Sequence, residues 1–104
     1  MAGLTAAALT SGAYAGCTST GCSDVTVTKL YMTATGTLYV GTSGDEKQLA
    51  CGGVSGVYMS LKEGDVGKNA MYSLLLTAKT TNKKVKIRVA DGADDCRVQY
   101  VTIN

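Results

Sequence analysis

The chain has 104 residues, 45% hydrophobic and 17% charged, with no His, Pro, Phe or Trp; that length admits one domain with a modest core of Val, Leu, Ile, Met and Tyr. Ten basic and eight acidic side chains leave a formal charge of +2, too little to imply a nucleic acid or a membrane surface as partner. Without histidine, a Ser-x-x-Lys or a nucleotide-binding loop, the common acid–base and phosphate chemistries have no carrier, so no enzyme and no cofactor is expected.

Met1 to Ala15 carries no charge and is dominated by Ala, Leu, Gly and Thr. Its end, Ala13-Tyr14-Ala15, fits the small-x-small pattern of signal-peptide cleavage, with Gly16 as the first mature residue. Residues 1–15 therefore read as the rear of a secretory signal, or else as a mobile tail, and 16–104 as the domain. The segment is too short and too weakly apolar to span a bilayer. Tyr14-Ala15-Gly16-Cys17 also resembles a lipoprotein cleavage box. Tyr14 stands where a leucine is usual, so lipid anchoring through Cys17 ranks below release into the periplasm or the medium.

Cys17 to Cys22 is a loop of small and hydroxylated residues. From Val25 to Thr33, Val25, Val27 and Tyr31 fall on one face of a strand and Leu30 and Met32 on the other. The apolar side switches midway, which predicts a bulge or burial on both faces. Ala34-Thr35-Gly36 is a turn, and Thr37 to Thr42 returns as the second strand of a hairpin. Gln48 to Leu61 reads as a third strand interrupted by Gly52, Gly53 and Gly56.

In the helix that follows, Met71, Leu74, Leu75 and Ala78 recur at i, i+3, i+4 and i+7, the spacing of one buried face. Glu63 and Asp65 precede its positive end and Lys79, Lys83 and Lys84 its negative end, near a stop at Thr81-Asn82. Lys84 to Val89 alternates charged and β-branched residues, a half-buried fourth strand. The loop Asp91 to Asp95 leads to a fifth, Cys96 to Ile103.

Three strands, one helix and two strands predict a mostly β domain with a five-stranded, OB-fold-like barrel plugged by the helix, in the order β-β-β-α-β-β. Four cysteines in so short a chain suggest disulfides and an oxidising compartment. They lack the paired short spacings of a zinc site, and no metal is expected. In such a barrel the third and fifth strands lie side by side, which favours a bond from Cys51 to Cys96 and leaves Cys17 to close on Cys22. The chain-entropy model gives about 4 kcal/mol for the long loop and about 2 for the short one.

Outside that frame, Asp91, Asp94 and Asp95 offer hard oxygens to a calcium ion but read first as a solvated turn. Lys84, Lys86 and Arg88 form one outward face; with few aromatic residues for stacking, a nucleic-acid partner is not expected. Tyr72 and Leu76, one turn apart and off the core stripe, suggest a subunit contact.

Cys22-Ser23-Asp24-Val25-Thr26-Val27-Thr28, Leu38-Tyr39-Val40, Ala50-Cys51, Tyr72 to Ala78 and Lys84-Val85-Lys86-Ile87 together resemble the B subunits of bacterial AB-type toxins, in the subtilase-cytotoxin and typhoid-toxin branch, and small secreted proteobacterial proteins of the same pattern. The resemblance implies a ring of five subunits that binds host-surface glycans, with helices facing a central pore. It also implies a role for Ser23 in holding the carboxylate of sialic acid. Val89 stands where that branch has a contributing tyrosine, and Val40 where it has a hairpin cysteine.

The expected function is thus a secreted, non-enzymatic binding domain, pentameric and glycan-binding, with Ser23, Asp24, Tyr31 and Tyr39 supplying hydroxyl, carboxylate and aromatic groups. The alternative is a monomeric envelope or secreted domain that uses the same barrel to bind or inhibit a protein.

Overall fold

In the computed structural model, which describes residues 15–104, the chain is mostly β with one helix. The leader reading of 1–15 lies, but for Ala15, outside the described residues. Six strands follow one another as β1 (Gly16–Cys17), β2 (Gly21–Met32), β3 (Leu38–Thr42), β4 (Met59–Leu61), β5 (Lys84–Val89) and β6 (Val98–Ile103), with helix α1 (Lys68–Thr81) between β4 and β5. The ladders are antiparallel, in the order β4-β3-β2-β5-β6, and β1 pairs with β2.

The long strand β2 is the axis of this arrangement. Its register slips between Val27 and Lys29 against β3 and between Cys22 and Val25 against β5. The first bulge is the physical cause of the switch in apolar side: Val25 and Val27 are buried, whereas beyond it Leu30 packs against the core and Tyr31 is exposed. At the second, Asp24 takes a positive φ of 55°.

Two expectations need correction. The sheet is open rather than a closed five-stranded barrel, and a two-residue strand precedes the expected β-β-β-α-β-β order. The end strands β4 and β6 share no ladder; a single parallel bridge from Ser60 to Arg97 spans them. The reason lies in the stretch read as a third strand. Glu46–Gln48 is a turn of 3-10 helix, and Gly52, Gly53, Ser55 and Gly56 all adopt positive φ, so the chain coils until Met59 and only three residues remain for β4. Glycine suits such backbone because it lacks the Cβ that excludes other residues.

Helix α1 packs on β2 and β6. Leu75 and Ala78 are fully buried, Met71 and Tyr72 are half-buried against the core, and Leu74 is 38% exposed. The core stripe is therefore centred on Leu75, and Leu74 leaves it while Tyr72 joins it. Gly67 begins the helix in left-handed conformation without a side-chain cap; Asn82, also left-handed, ends it with its N–H directed at Ala78 and Lys79 carbonyls. Small left-handed residues terminate helices because they turn the chain back on the last free carbonyls.

The core joins Val25, Leu38, Val40, Met59, Leu61, Leu75, Val85 and Ile87, each contributing roughly 1.5–3 kcal/mol on burial. Two disulfides close it: Cys17–Cys22, directly across the β1–β2 pair with a Cα separation of 3.9 Å, and Cys51–Cys96, which ties the glycine-rich turn to the residues before β6. Such bonds indicate an oxidising, extracytoplasmic environment. Among the described residues no helix is long and apolar enough to cross a membrane.

Candidate functional site

At the distal end of β2, Tyr31 lies opposite Tyr39 on β3, and Tyr39 lies opposite Ser60 on β4. Tyr58 enters from the turn just before β4, where Val54 and Tyr58 exchange backbone hydrogen bonds. The three rings form a cluster: centroids are 5.5 Å apart for Tyr31 and Tyr39, 5.6 Å for Tyr39 and Tyr58, and 6.0 Å for Tyr31 and Tyr58. These are the tilted and edge-on separations that aromatic rings favour. The Lys29 ammonium sits 5.8 Å from the Tyr31 ring centre, within the range of a cation–π attraction.

Beside the cluster runs a shallow groove of about 440 Å³, lined by Thr28, Lys29, Asp45, Lys47, Val57 and Tyr58 among others. Its floor is anchored by Glu46, 4% exposed, whose carboxylate accepts hydrogen bonds from the Thr42 N–H at 2.9 Å and the Thr42 hydroxyl at 2.5 Å. Asp45 caps the 3-10 turn by accepting from the Lys47 N–H at 3.1 Å. Ring faces beside a hydroxyl, two ammonium groups and a carboxylate form a surface that can stack on apolar ring faces and hydrogen-bond the polar rim around them.

The sequence candidates divide between two places. Tyr31 and Tyr39 come together, and Tyr58 and Lys29 complete the cluster. Ser23 and Asp24 sit at the other end of β2, in the bulge facing β5, with Ser23 opposite Gly16. Eight residues of strand separate Ser23 from Tyr31, about 25 Å of chain at the usual rise. One site does not hold all four. Tyr58 was missed because it lies inside the glycine-broken run, and only the adjacency of three strands brings it to the others; the local signal was the Tyr at the edge of a turn.

A second cavity of about 290 Å³ opens between Ser19, Thr20, Cys51, Val89, Asp91 and Asp94. It has no aromatic wall. Of its two lining acids, Asp91 lies 3.5 Å from Arg88; beyond the lining, Arg97 binds Asp95 at 2.9 and 3.1 Å and Asp65 at 2.7 Å, and Lys62 lies 3.5 Å from Asp95. Burial would raise the Asp95 carboxyl, but the hydrogen bonds and charge of Arg97, with Lys62 beside it, outweigh that and hold it below its ordinary value. Asp65 also accepts from the Lys62 N–H at 2.8 Å, so it serves this clasp and not the helix start. Among the described residues, the Cys17, Cys22 and Glu46 ligand-type atoms lie within 4.8 Å of one another, with both sulfurs tied up in the disulfide.

No family model, curated protein or solved structure matches the chain.

Proposed function

We propose that the chain is a secreted or periplasmic, non-enzymatic binding domain similar to the B subunits of AB-type toxins, and that it takes a glycan on the Tyr31–Tyr39–Tyr58 cluster. The observation that carries this reading is the cluster itself: three tyrosines within 5.5–6.0 Å of one another, open to solvent at Tyr31, which is 45% exposed. Sugars stack the C–H faces of their rings on aromatic side chains and direct hydroxyls to nearby polar groups; Thr28, Lys29, Asp45 and Lys47 line the groove with Tyr58, and Lys29 also lies over Tyr31. Ser23 is remote from this cluster, so the proposed site differs from the serine-bearing one that the resemblance implies.

An OB-type strand arrangement left open between β4 and β6 is the architecture proposed for the described residues. Its support is the strand order β4-β3-β2-β5-β6 with the helix between β4 and β5, together with the parallel bridge from Ser60 to Arg97, where the Ser60 N–H reaches the Cys96 carbonyl at 3.0 Å and the Ser60 hydroxyl the Asp95 carbonyl at 2.7 Å. Association into a ring places Leu76, 43% exposed, at the subunit contact, with Tyr72, one turn earlier and partly buried against the core, only at its edge. The competing reading is a monomer that binds protein. It is favoured by exposed Met32 (45%) and Val57 (44%), each next to one of the tyrosines in the chain, since the centre of a protein interface is apolar and rich in aromatic residues and Met.

A glycan array, paired with mass measurement in solution, separates the two. Sugar signals from a pentamer support the toxin-B-like reading; a sugar-blind monomer supports the protein-binding one.

A further inference from the structure

Charge is unevenly distributed along the chain. Between 66 and 90 there are six cations, Lys68, Lys79, Lys83, Lys84, Lys86 and Arg88, and no carboxylate; the other four cations share the remaining chain with all eight acids. The fold sets three of the six in one row. Lys84 and Lys86 are exposed and Arg88 is half-exposed along the outer face of β5, with Val85, Ile87 and Val89 pointing into the core. Alternate residues of a strand are roughly 6.6 Å apart, so these cations form an evenly spaced row. Lys79 and Lys83, both exposed, lie at the C-terminal end of α1 and in the link to β5.

The neighbouring strand does not neutralise the row. In the β5–β6 register Lys86 faces Thr102 and Arg88 faces Tyr100, which is 38% exposed. The acids that approach are Asp91, 3.5 Å from Arg88, and Asp24, in the β2 bulge beside Lys86. Cations remain in excess. We infer that this outer face of β5 and β6 is a docking surface for an extended anionic polysaccharide, bearing sulfate or uronate groups, separate from the tyrosine cluster. Repeated anions along a stiff polymer match repeated cations along a strand, Thr102 supplies a hydroxyl and Tyr100 a ring face for the sugar between them. The disulfides point to an oxidising, extracytoplasmic compartment, where such a polysaccharide can reach the chain.

Binding to heparin and to polygalacturonate, measured by titration across a salt series, tests the inference on the full domain. Lys84→Gln with Lys86→Gln is expected to weaken binding to at least one of them about tenfold, the effect of two surface ion pairs at the strong end of their usual range, and to flatten the salt dependence. Ala34→Glu with Gln48→Glu makes the same change in net charge elsewhere on the surface and is expected to leave that binding within about twofold, as screened distant charges do. Thermal melts of both variants establish that they fold. Equal loss in the two variants, no binding by the wild type to either polymer, or tighter binding to single-stranded DNA of matched charge would each overturn it. None of these outcomes depends on whether the tyrosine cluster binds sugar.

Discussion

Tyr39 is the ring on which the proposed site turns, because it stacks with both of its neighbours, at 5.5 Å and 5.6 Å. Tyr39→Ala is expected to abolish glycan signals while lowering stability by about 1–3 kcal/mol, the usual worth of two aromatic pairs; array binding and a denaturant titration check the two halves. A second residue-scale test concerns Asp95. Its carboxyl is held below its ordinary value of 3.8, so it adds stability that is complete above that value and is lost as pH falls through the lower, folded one. Asp95→Asn should lower the melting temperature at pH 7 and leave a shallower loss of stability below about pH 4; an acid limb unchanged by the substitution would count against the Arg97 clasp. At this scale the sequence was informative where partners are local. Tyr31 and Tyr39 belong to the two strands of one hairpin, which the turn at Ala34-Thr35-Gly36 marks in the sequence, whereas Tyr58 joins them only through the pairing of β3 with β4.

At the scale of elements, the helix shows how far periodicity reaches. Spacing located α1 and its end at Asn82, but it set Leu74 inside and Tyr72 outside, and the packing against β2 and β6 reverses that pair. Tyrosine carries an apolar ring and a polar tip, so it can border a core that a count of aliphatic residues excludes it from. Leu75→Ala is expected to cost about 2–5 kcal/mol as a fully buried truncation, and Leu74→Ala less than about 1, since surface positions move stability little. Urea titrations of the two variants check the orientation of the stripe, and the reverse ranking would refute it. The third expected strand failed for a related reason: its apolar residues were visible, but Gly52, Gly53 and Gly56 turn the backbone between them. Replacing Cys51 and Cys96 by serine should cost roughly 4 kcal/mol and replacing Cys17 and Cys22 roughly 2, from the loops they close; calorimetry of the two double variants gives the order.

At the scale of the molecule, the described residues form a six-strand open sheet with one packed helix, which leaves two unlike surfaces. One is aromatic, at the distal end of β2; the other is cationic, along β5. Composition disclosed the even cysteine set and its oxidising setting. It did not disclose that β4 would be three residues long, because that depends on how much chain the preceding turns consume. The central claim is that the tyrosine cluster binds glycan. Its most direct test is one glycan array probed with the wild type and with Tyr39→Ala, each shown to be folded: the account predicts sugar signals for the wild type that vanish in the variant, and signals that survive the substitution, or a wild type that binds no sugar, would contradict it.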